Sequence, residues 1–451
     1  LAGNVTATVS GNTLFVTGDP ADNAVVIQQT GVNRFTVVGA TGSGTTVNGR
    51  PAGTVITGNN VRNFEIDLRG GNDSLGASNS NVFLTNVQAE FLGGPQAATG
   101  LLADALTLAG YANIRGGVGD DAFALQLRTG QNILVDTGAG SDDVVLEGST
   151  ATSILVSADT ADQATDGDDY VRVRGVTVAQ GSLVINTFSG DDIIDLANVN
   201  ALSVSVNAGI GSTVNGQTDV DEVNSVGITT RDSVIINTLA GNDSQTLTDI
   251  STRFFQTIGG SGNDTINVAR LHATTDAFLI GEAGDDILAL DDTMNALDPA
   301  TPVIVTAANA TSVAGLLQFD AGLGNDQVNV NGNLDFNPSL RNLHVLTAGG
   351  IDTATLRNLS LTGNVLVDTG DGNDDLIMEG VVADGAINAY LLGGNDTATI
   401  SDTRANGGSR ARFYGGAGFD TFNNGGGNGV QGSDYFLFEF EQVIDLIVPP
   451  A

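Results

Sequence analysis

The residues with the clearest chemical potential are aspartates that follow short glycine-rich segments throughout the chain. Glycine admits left-handed backbone angles that turn carbonyl oxygens towards a common point, and aspartate adds a carboxylate. Carbonyl and carboxylate oxygens are the ligands that calcium prefers in proteins. The aspartates predicted to bind calcium ions are Asp73, Asp121, Asp143, Asp192, Asp243, Asp264, Asp286, Asp326, Asp352, Asp374, Asp396 and Asp420.

Some of these segments, which we call corners, match the nonapeptide Gly-Gly-x-Gly-x-Asp-x-apolar-x at every position. The full matches are 116–124, 259–267 and 415–423. Segments that differ by a residue or two are 137–145, 281–289 and 321–329. The pattern resembles the calcium-binding RTX repeat of exported bacterial proteins. The resemblance implies several calcium ions between the corners of adjacent coils of a β-solenoid, and folding after export from a cytoplasm that is low in calcium.

The spacing of the corners departs from the RTX pattern. RTX motifs run consecutively with two corners per coil, whereas neighbouring corners here are often 21 to 26 residues apart. Early glycines are missing before Asp192, Asp243 and Asp352, so the resemblance is weaker at those aspartates. A purely structural interpretation competes, because Asn, Asp and Gly also make good turns. Stacked carboxylates without a cation would repel one another, which favours calcium.

Short apolar runs on both sides of the corners predict β-strands. Ile133-Leu134-Val135 precedes one corner, and the alternating Ile266-Asn267-Val268 follows another. A strand, a corner and a second strand repeated at this interval predict an all-β fold, an elongated parallel β-solenoid with atypical capping ends. At about 4.8 Å per coil, some 16 to 18 coils would form a rod of roughly 80 Å.

The two ends differ from the middle, which predicts three segments. Residues 1–60 are expected to form a strand-rich cap or first coils, and residues 61–432 the solenoid. Residues 433–451 gather four aromatic side chains between Tyr435 and Phe440 and are expected to form a cap or an inter-subunit strand.

Composition excludes several classes of function. The 451 residues carry a net charge of −36, and all 16 basic residues are arginine. Without lysine there is no Schiff-base chemistry or P-loop, and without cysteine there is no disulfide or thiolate chemistry. The excess of acid is expected to repel nucleic acid and anionic lipid. No apolar run approaches the roughly 18 residues of a membrane span, so membrane insertion is not expected.

These features favour a calcium-stabilised extracellular structural protein that is not an enzyme. The chain would be a subunit of a fibre, surface layer or biofilm matrix, forming a homopolymer through its N- and C-terminal ends. The even spread of the corners supports this interpretation, because a catalytic site should be singular. The chain is expected to be the processed form of a bacterial exported protein, located outside the cell or on its surface.

Two alternatives stay open. A secreted β-helix enzyme could act on polysaccharides in a groove walled by residues 88–114 and 294–318. Its candidate basic residues are Arg172, Arg174, Arg410 and Arg412. A cell-surface adhesin would instead bind glycans or another protein through a solenoid face. Polysaccharide is a candidate contact of the structural protein as well.

Overall fold

The fold is known from a computed structural model, which describes residues 3–51, 56–77, 105–159, 167–209, 219–292, 310–332, 339–406, 409–427 and 435–445. These residues form strands and turns, and none of them lies in an α-helix. The all-β prediction is therefore confirmed. The chain divides into two compact units, Leu1–Arg231 and Asp232–Ala451.

Each unit consists of short strands joined by turns. In the first unit the strands are β1 Asn4–Ser10, β2 Thr13–Thr17, β3 Ala24–Gly31, β4 Arg34–Gly39, β5 Thr46–Val47, β6 Ile56–Asn59, β7 Asn63–Gly70, β8 Ser74–Ala77, β9 Leu106–Leu108, β10 Ala112–Val118, β11 Ala122–Leu125, β12 Leu127–Thr129, β13 Ile133–Ala139, β14 Asp143–Glu147, β15 Thr150–Ala151, β16 Ile154–Ser157, β17 Tyr170–Arg174, β18 Thr177–Val178, β19 Ser182–Asn186, β20 Ile193–Ala201, β21 Ser203–Asn207 and β22 Glu222–Thr230. In the second unit they are β23 Ser233–Ala240, β24 Ser244–Thr252, β25 Phe254–Ser261, β26 Thr265–Ala273, β27 Ala277–Ala283, β28 Ile287–Asp291, β29 Ser312–Leu323, β30 Gln327–Asn331, β31 Ser339–Leu346, β32 Thr353–Arg357, β33 Ser360–Leu361, β34 Val365–Asp368, β35 Asp375–Glu379, β36 Val382–Ala383, β37 Ile387–Tyr390, β38 Thr397–Ser401, β39 Arg404–Ala405, β40 Ala411–Tyr414, β41 Thr421–Asn424, β42 Tyr435–Phe438 and β43 Gln442–Asp445.

Strand pairing links each repeat to the next. In the first unit, β7, β10, β13, β16, β19 and β21 pair in that order, and every pair is parallel. In the second unit, β26, β28, β30, β32, β35, β38 and β41 do the same. Parallel pairing in register places equivalent residues of successive repeats beside one another.

The core of the second unit shows the effect of this register. One column of facing residues runs along eight strands and is apolar at every step. Its members are Val234, Phe255, Ala277, Leu317, Leu343, Val365, Ile387 and Ala411, all of them buried. Because side chains alternate between faces, a shift of one residue would turn this column towards solvent, so the hydrophobic pattern determines the register.

The N-terminal region differs from the rest in its pairing. β1–β2, β3–β4 and β4–β6 are antiparallel, whereas β2 and β3 pair in parallel with β7 and β8. The boundary between the two units, after Arg231, lies inside the segment 61–432 that the sequence assigns to one solenoid. The division into residues 1–60, 61–432 and 433–451 stays a prediction.

Two arginine–aspartate pairs of the second unit differ in burial and give a test of the packing. Arg270 is 3% exposed and binds Asp249 through two hydrogen bonds of 2.7 and 2.9 Å. Arg253 is 54% exposed and lies 2.6 Å from Asp232. We expect Arg270→Ala to reduce the free energy of unfolding by about 3 kcal/mol, because it removes buried hydrogen bonds and packed atoms.

Arg253→Ala is the matched control and should change the free energy of unfolding by less than about 1 kcal/mol, since exposed ion pairs contribute little. Guanidinium unfolding of both variants measures the difference. Equal effects of the two substitutions would contradict the burial of Arg270.

Candidate functional site

Each corner connects the end of one strand to the start of the next, and we number its positions one to nine as in the nonapeptide. Asp121 and Asp264 stand at position six, immediately before β11 and β26. Because the flanking strands pair in register, the position-six residues of successive repeats lie next to one another.

The position-six aspartates form a hydrogen-bonded ladder in each unit. The backbone N–H of each aspartate donates to Oδ1 of the aspartate in the next repeat, at 2.7–3.0 Å. The ladder of the first unit consists of Asp73, Asp121, Asp142, Asp169, Asp192 and Asp221. The ladder of the second unit consists of Asp243, Asp264, Asp286, Asp326, Asp352, Asp374, Asp396 and Asp420.

Two other residue types extend these ladders. At the start of the first ladder, the backbone N–H and the amide of Asn23 donate to Oδ1 of Asp73 at 2.6 and 3.1 Å. At the end of the second, the N–H of Asp420 donates to Oε2 of Glu441 at 2.8 Å. Glu441 thus supplies the acceptor oxygen that an aspartate supplies elsewhere in the ladder.

The structure places all but one of the predicted aspartates in a ladder. The exception is Asp143, the first residue of β14, because its neighbour Asp142 takes position six. The corner 137–145 has Asp142 at position six when it is aligned with the nonapeptide. The signal for the correct residue was therefore present in the sequence.

Sequence reasoning also missed two members of the first ladder, Asp169 and Asp221. The intervals from Asp143 to Asp192 and from Asp192 to Asp243 are about twice the repeat length, and each contains one of them. Their corners lack most of the glycines of the nonapeptide. One signal in the sequence could have revealed them. An apolar residue stands two positions after each of these aspartates, as at most other corners; these residues are Val171 and Val223, and both are buried.

The ladder carboxyls are buried, with at most 2% of each residue exposed. Burial raises their pKa, because little water is present to solvate the charge. The pKa is about 8 at Asp121 and Asp192, and about 7 at Asp264 and Asp326. The charges of neighbouring aspartates add to this increase at Asp121, while the N–H of Asp73 lowers the pKa of that carboxyl.

The residue at position one of the corner lies beside the carboxyl group of the position-six aspartate, and its type differs between corners. In five corners it is a buried threonine, whose hydroxyl donates to the backbone carbonyl at position one of the next repeat at 2.6–3.4 Å. These threonines are Thr137, Thr187, Thr238, Thr347 and Thr369. Alanine or leucine stands there in others, for example Ala321 and Leu391.

Glycine stands at position one in four described corners that have aspartate at position six, and there the carboxylate lies close to the place where a Cβ would stand. At Gly116, a Cβ would meet Oδ2 of Asp121 and the carbonyl oxygen of Thr137, both closer than 3.0 Å. A Cβ on Gly281 would likewise lie closer than 3.0 Å to Oδ2 of Asp286 and to the carbonyl oxygen of Ala321. Gly259 and Gly415 are the other two, and their Cβ would meet Oδ2 of Asp264 and Asp420.

A second ladder, formed by position five, runs along the exposed side of the corners. Its side-chain oxygens accept backbone N–H groups of the following repeat, as from Asn263 to Asn242 at 2.7 Å and from Asn325 to Asp285 at 2.8 Å. The ladder of position-six aspartates runs in the opposite direction, because each of its backbone N–H groups donates to a carboxylate of the following repeat. Asn and Asp at position five are therefore explained by hydrogen bonding alone.

Two of the candidate basic residues of an enzyme, Arg172 and Arg410, have contacts within the part of the chain that the structure describes. Arg172 is buried beside Glu147 at 3.6 Å, and Arg410 lies over the ring of Phe436. Most of the two segments proposed to wall a groove, residues 88–104 and 294–309, lies outside the described residues. Within the described ranges, no group of three or more His, Cys, Asp or Glu side chains is arranged to hold a metal ion.

Comparisons with known proteins add no family. No protein-family model, curated protein or solved structure matches the chain. No helix long and apolar enough to cross a membrane occurs in the described part of the chain. The interpretation of the site therefore depends on its geometry.

Proposed function

We propose that each unit is a parallel β-solenoid and that the chain is a calcium-stabilised extracellular structural protein. The observation that carries this proposal is the ladder of buried aspartates, which continues from repeat to repeat in each unit. Parallel, in-register pairing of successive repeats supports the solenoid. A ladder that repeats throughout each unit is typical of a structural protein, whereas an enzyme needs a single reaction centre.

The residues present fit calcium in charge and in donor type. Oδ2 of Asp121 and of Asp286 is buried and has no hydrogen-bond partner among the described residues. Such an oxygen is costly to bury unless it is protonated or paired with a cation. Calcium takes six to eight oxygens, and the carboxylate and the carbonyl at a glycine corner would provide two of them. When bound, the ion would neutralise the repulsion between successive aspartates.

Secretion and self-assembly belong to the same proposal. Calcium is abundant outside cells, so a chain that needs it to fold would become stable after export. Within the chain, the rings of Tyr390, Tyr414 and Phe438 stack with centroids 4.7 and 4.6 Å apart, which joins the C-terminal segment to the preceding repeats. Phe438 and Val443 are 39% and 52% exposed. We propose that copies of the chain join through their ends to form a fibre or layer.

Electron microscopy of the purified protein with calcium and after chelation tests the proposal. We expect ordered filaments or sheets with calcium and their loss on chelation. A sodium buffer of equal ionic strength is the control, since salt alone screens the repulsion of a chain with net charge −36. Single particles that do not change on chelation would contradict both the calcium and the polymer, and would leave an adhesin or an enzyme.

A further inference from the structure

Two tyrosine rings of the second unit lie against each other on the outer face of neighbouring strands. Tyr390 ends β37 and Tyr414 ends β40, and the parallel register makes the two residues direct neighbours. Their ring centroids are 4.7 Å apart, and the ring planes differ by 12°. Ala389 and Phe413, which precede them on the inner face, are buried, whereas both tyrosines are partly exposed. The two phenols are therefore held together at a surface that small solutes can reach.

The neighbours of this pair limit the reactions of its phenols. On one side, the ring of Phe438 stacks on Tyr414 with centroids 4.6 Å apart. On the other side, Asp368 of β34 lies next to Tyr390 in register. Neither Phe438 nor Asp368 carries a phenol. A reaction between adjacent phenols in this row is thus restricted to Tyr390 and Tyr414.

The composition of the chain makes such a reaction useful for an extracellular structural protein. Without cysteine and lysine, the chain cannot form disulfides or lysine-based cross-links. Phenols offer another route, because one-electron oxidation lets two tyrosines couple through their rings. We infer that Tyr390 and Tyr414 are a modification site, at which hydrogen peroxide and a peroxidase join the two rings as dityrosine. This inference goes beyond the proposed function and does not depend on calcium.

The coupling balances as a two-electron oxidation. Each phenol loses one electron and one proton to give a tyrosyl radical, and the two radicals join through ring carbons ortho to the oxygens. The hydrogens on those carbons then move to the oxygens, which restores both phenols. The two electrons and two protons released reduce one hydrogen peroxide to two water molecules. Neighbouring strands lie about 4.8 Å apart, so rotation about the side-chain torsions is enough to bring the two carbons together.

Tyr170 of the first unit shows that a tyrosine alone does not make such a site. Its hydroxyl donates to Oδ2 of Asp195 at 2.7 Å, and burial raises its pKa. Its neighbours in register are Asp143 and Ile193, neither of which is a phenol. The strand register at Tyr390 and Tyr414, which places one phenol directly beside another, is what distinguishes that pair.

Peptide mapping of the oxidised protein tests the inference. The full chain in calcium buffer, at low protein concentration, is treated with hydrogen peroxide and a peroxidase and then cleaved after arginine. In the wild type, mass spectrometry should find peptides 358–404 and 413–451 joined, with two hydrogen atoms fewer than their sum. Tyr390→Phe and Tyr414→Phe each keep a ring for stacking and lack one phenol, so both should lose the joined peptides.

Tyr435→Phe is the matched control, because Tyr435 lies on peptide 413–451 but has Ala411 as its neighbour in register. This variant should keep the joined peptides. Circular dichroism confirms folding, and if one of the variants at Tyr390 and Tyr414 does not fold, the other decides. A folded wild type without the joined peptides would overturn the inference. Joined peptides that persist in either folded variant, or that form equally in wild type unfolded by guanidinium, would overturn it as well.

Discussion

In a chelating buffer, the protein is expected to lose stability as the pH rises from about 4 to about 8. Burial raises the pKa of the ladder carboxyls from 3.8 to about 8 at Asp121 and Asp192 and to about 7 at Asp264. These groups hold their protons more tightly in the folded state. Their contribution to stability is therefore complete below pH 3.8 and is lost as the pH passes through the folded-state values. One pKa unit corresponds to about 1.4 kcal/mol, so several groups together amount to more than about 5 kcal/mol.

Thermal unfolding in the presence of a chelator, followed by circular dichroism at several pH values, measures this loss. Excess calcium should oppose it, because the cation binds the ionised carboxylate and adds about 2.7 kcal/mol per site at one hundred times its dissociation constant. Asp286→Asn is the control and should show a weaker pH dependence. Stability that increases from pH 4 to pH 8 in the chelator, as for salt-bridged surface carboxylates, would contradict the protonated, buried ladder.

Gly262→Ala is expected to reduce the free energy of unfolding of the second unit by more than about 4 kcal/mol. Gly262 stands at position four of its corner with φ at +128°, where a side chain is strained. A Cβ there would also meet the backbone carbonyl of Gly241, in the preceding repeat, closer than 3.0 Å. Backbone cannot move aside as a flexible side chain can, so the neighbouring repeats would have to separate.

Gly349→Ala is the matched control in the same unit. Its Cβ would lie 3.7 Å from the nearest atom, the carbonyl oxygen of Asp371, which is an ordinary contact. We expect a change below about 1 kcal/mol in guanidinium unfolding. If both variants unfold at the wild-type denaturant concentration, the repeats are not packed as closely at position four as the structure indicates.

Much of the fold could be predicted because it is periodic. Alternating apolar residues such as Ile266 and Val268 predict strands with one buried face, and both side chains are buried in β26. The recurring corner predicts that equivalent aspartates come together, and the hydrogen bond from Asp264 to Asp286 shows that they do. Hidden repeats were missed where insertions remove the glycines, as before Asp169 and Asp221, because pattern recognition needs an uninterrupted motif.

The sequence by itself determined the residue types and the interval between them, and these define an all-β chain with a repeated acidic corner. Only the tertiary structure decided the direction of the hydrogen bonds: the position-six aspartates accept N–H groups of the preceding repeat, whereas position-five side chains accept N–H groups of the following one. It also distinguished Gly281, where Oδ2 of Asp286 and the carbonyl oxygen of Ala321 lie too close to admit a Cβ, from Thr369, whose hydroxyl donates to the carbonyl of Leu391. Both distinctions depend on atoms of the next repeat, which lies some twenty residues or more away along the chain and becomes a neighbour only when the strands pair.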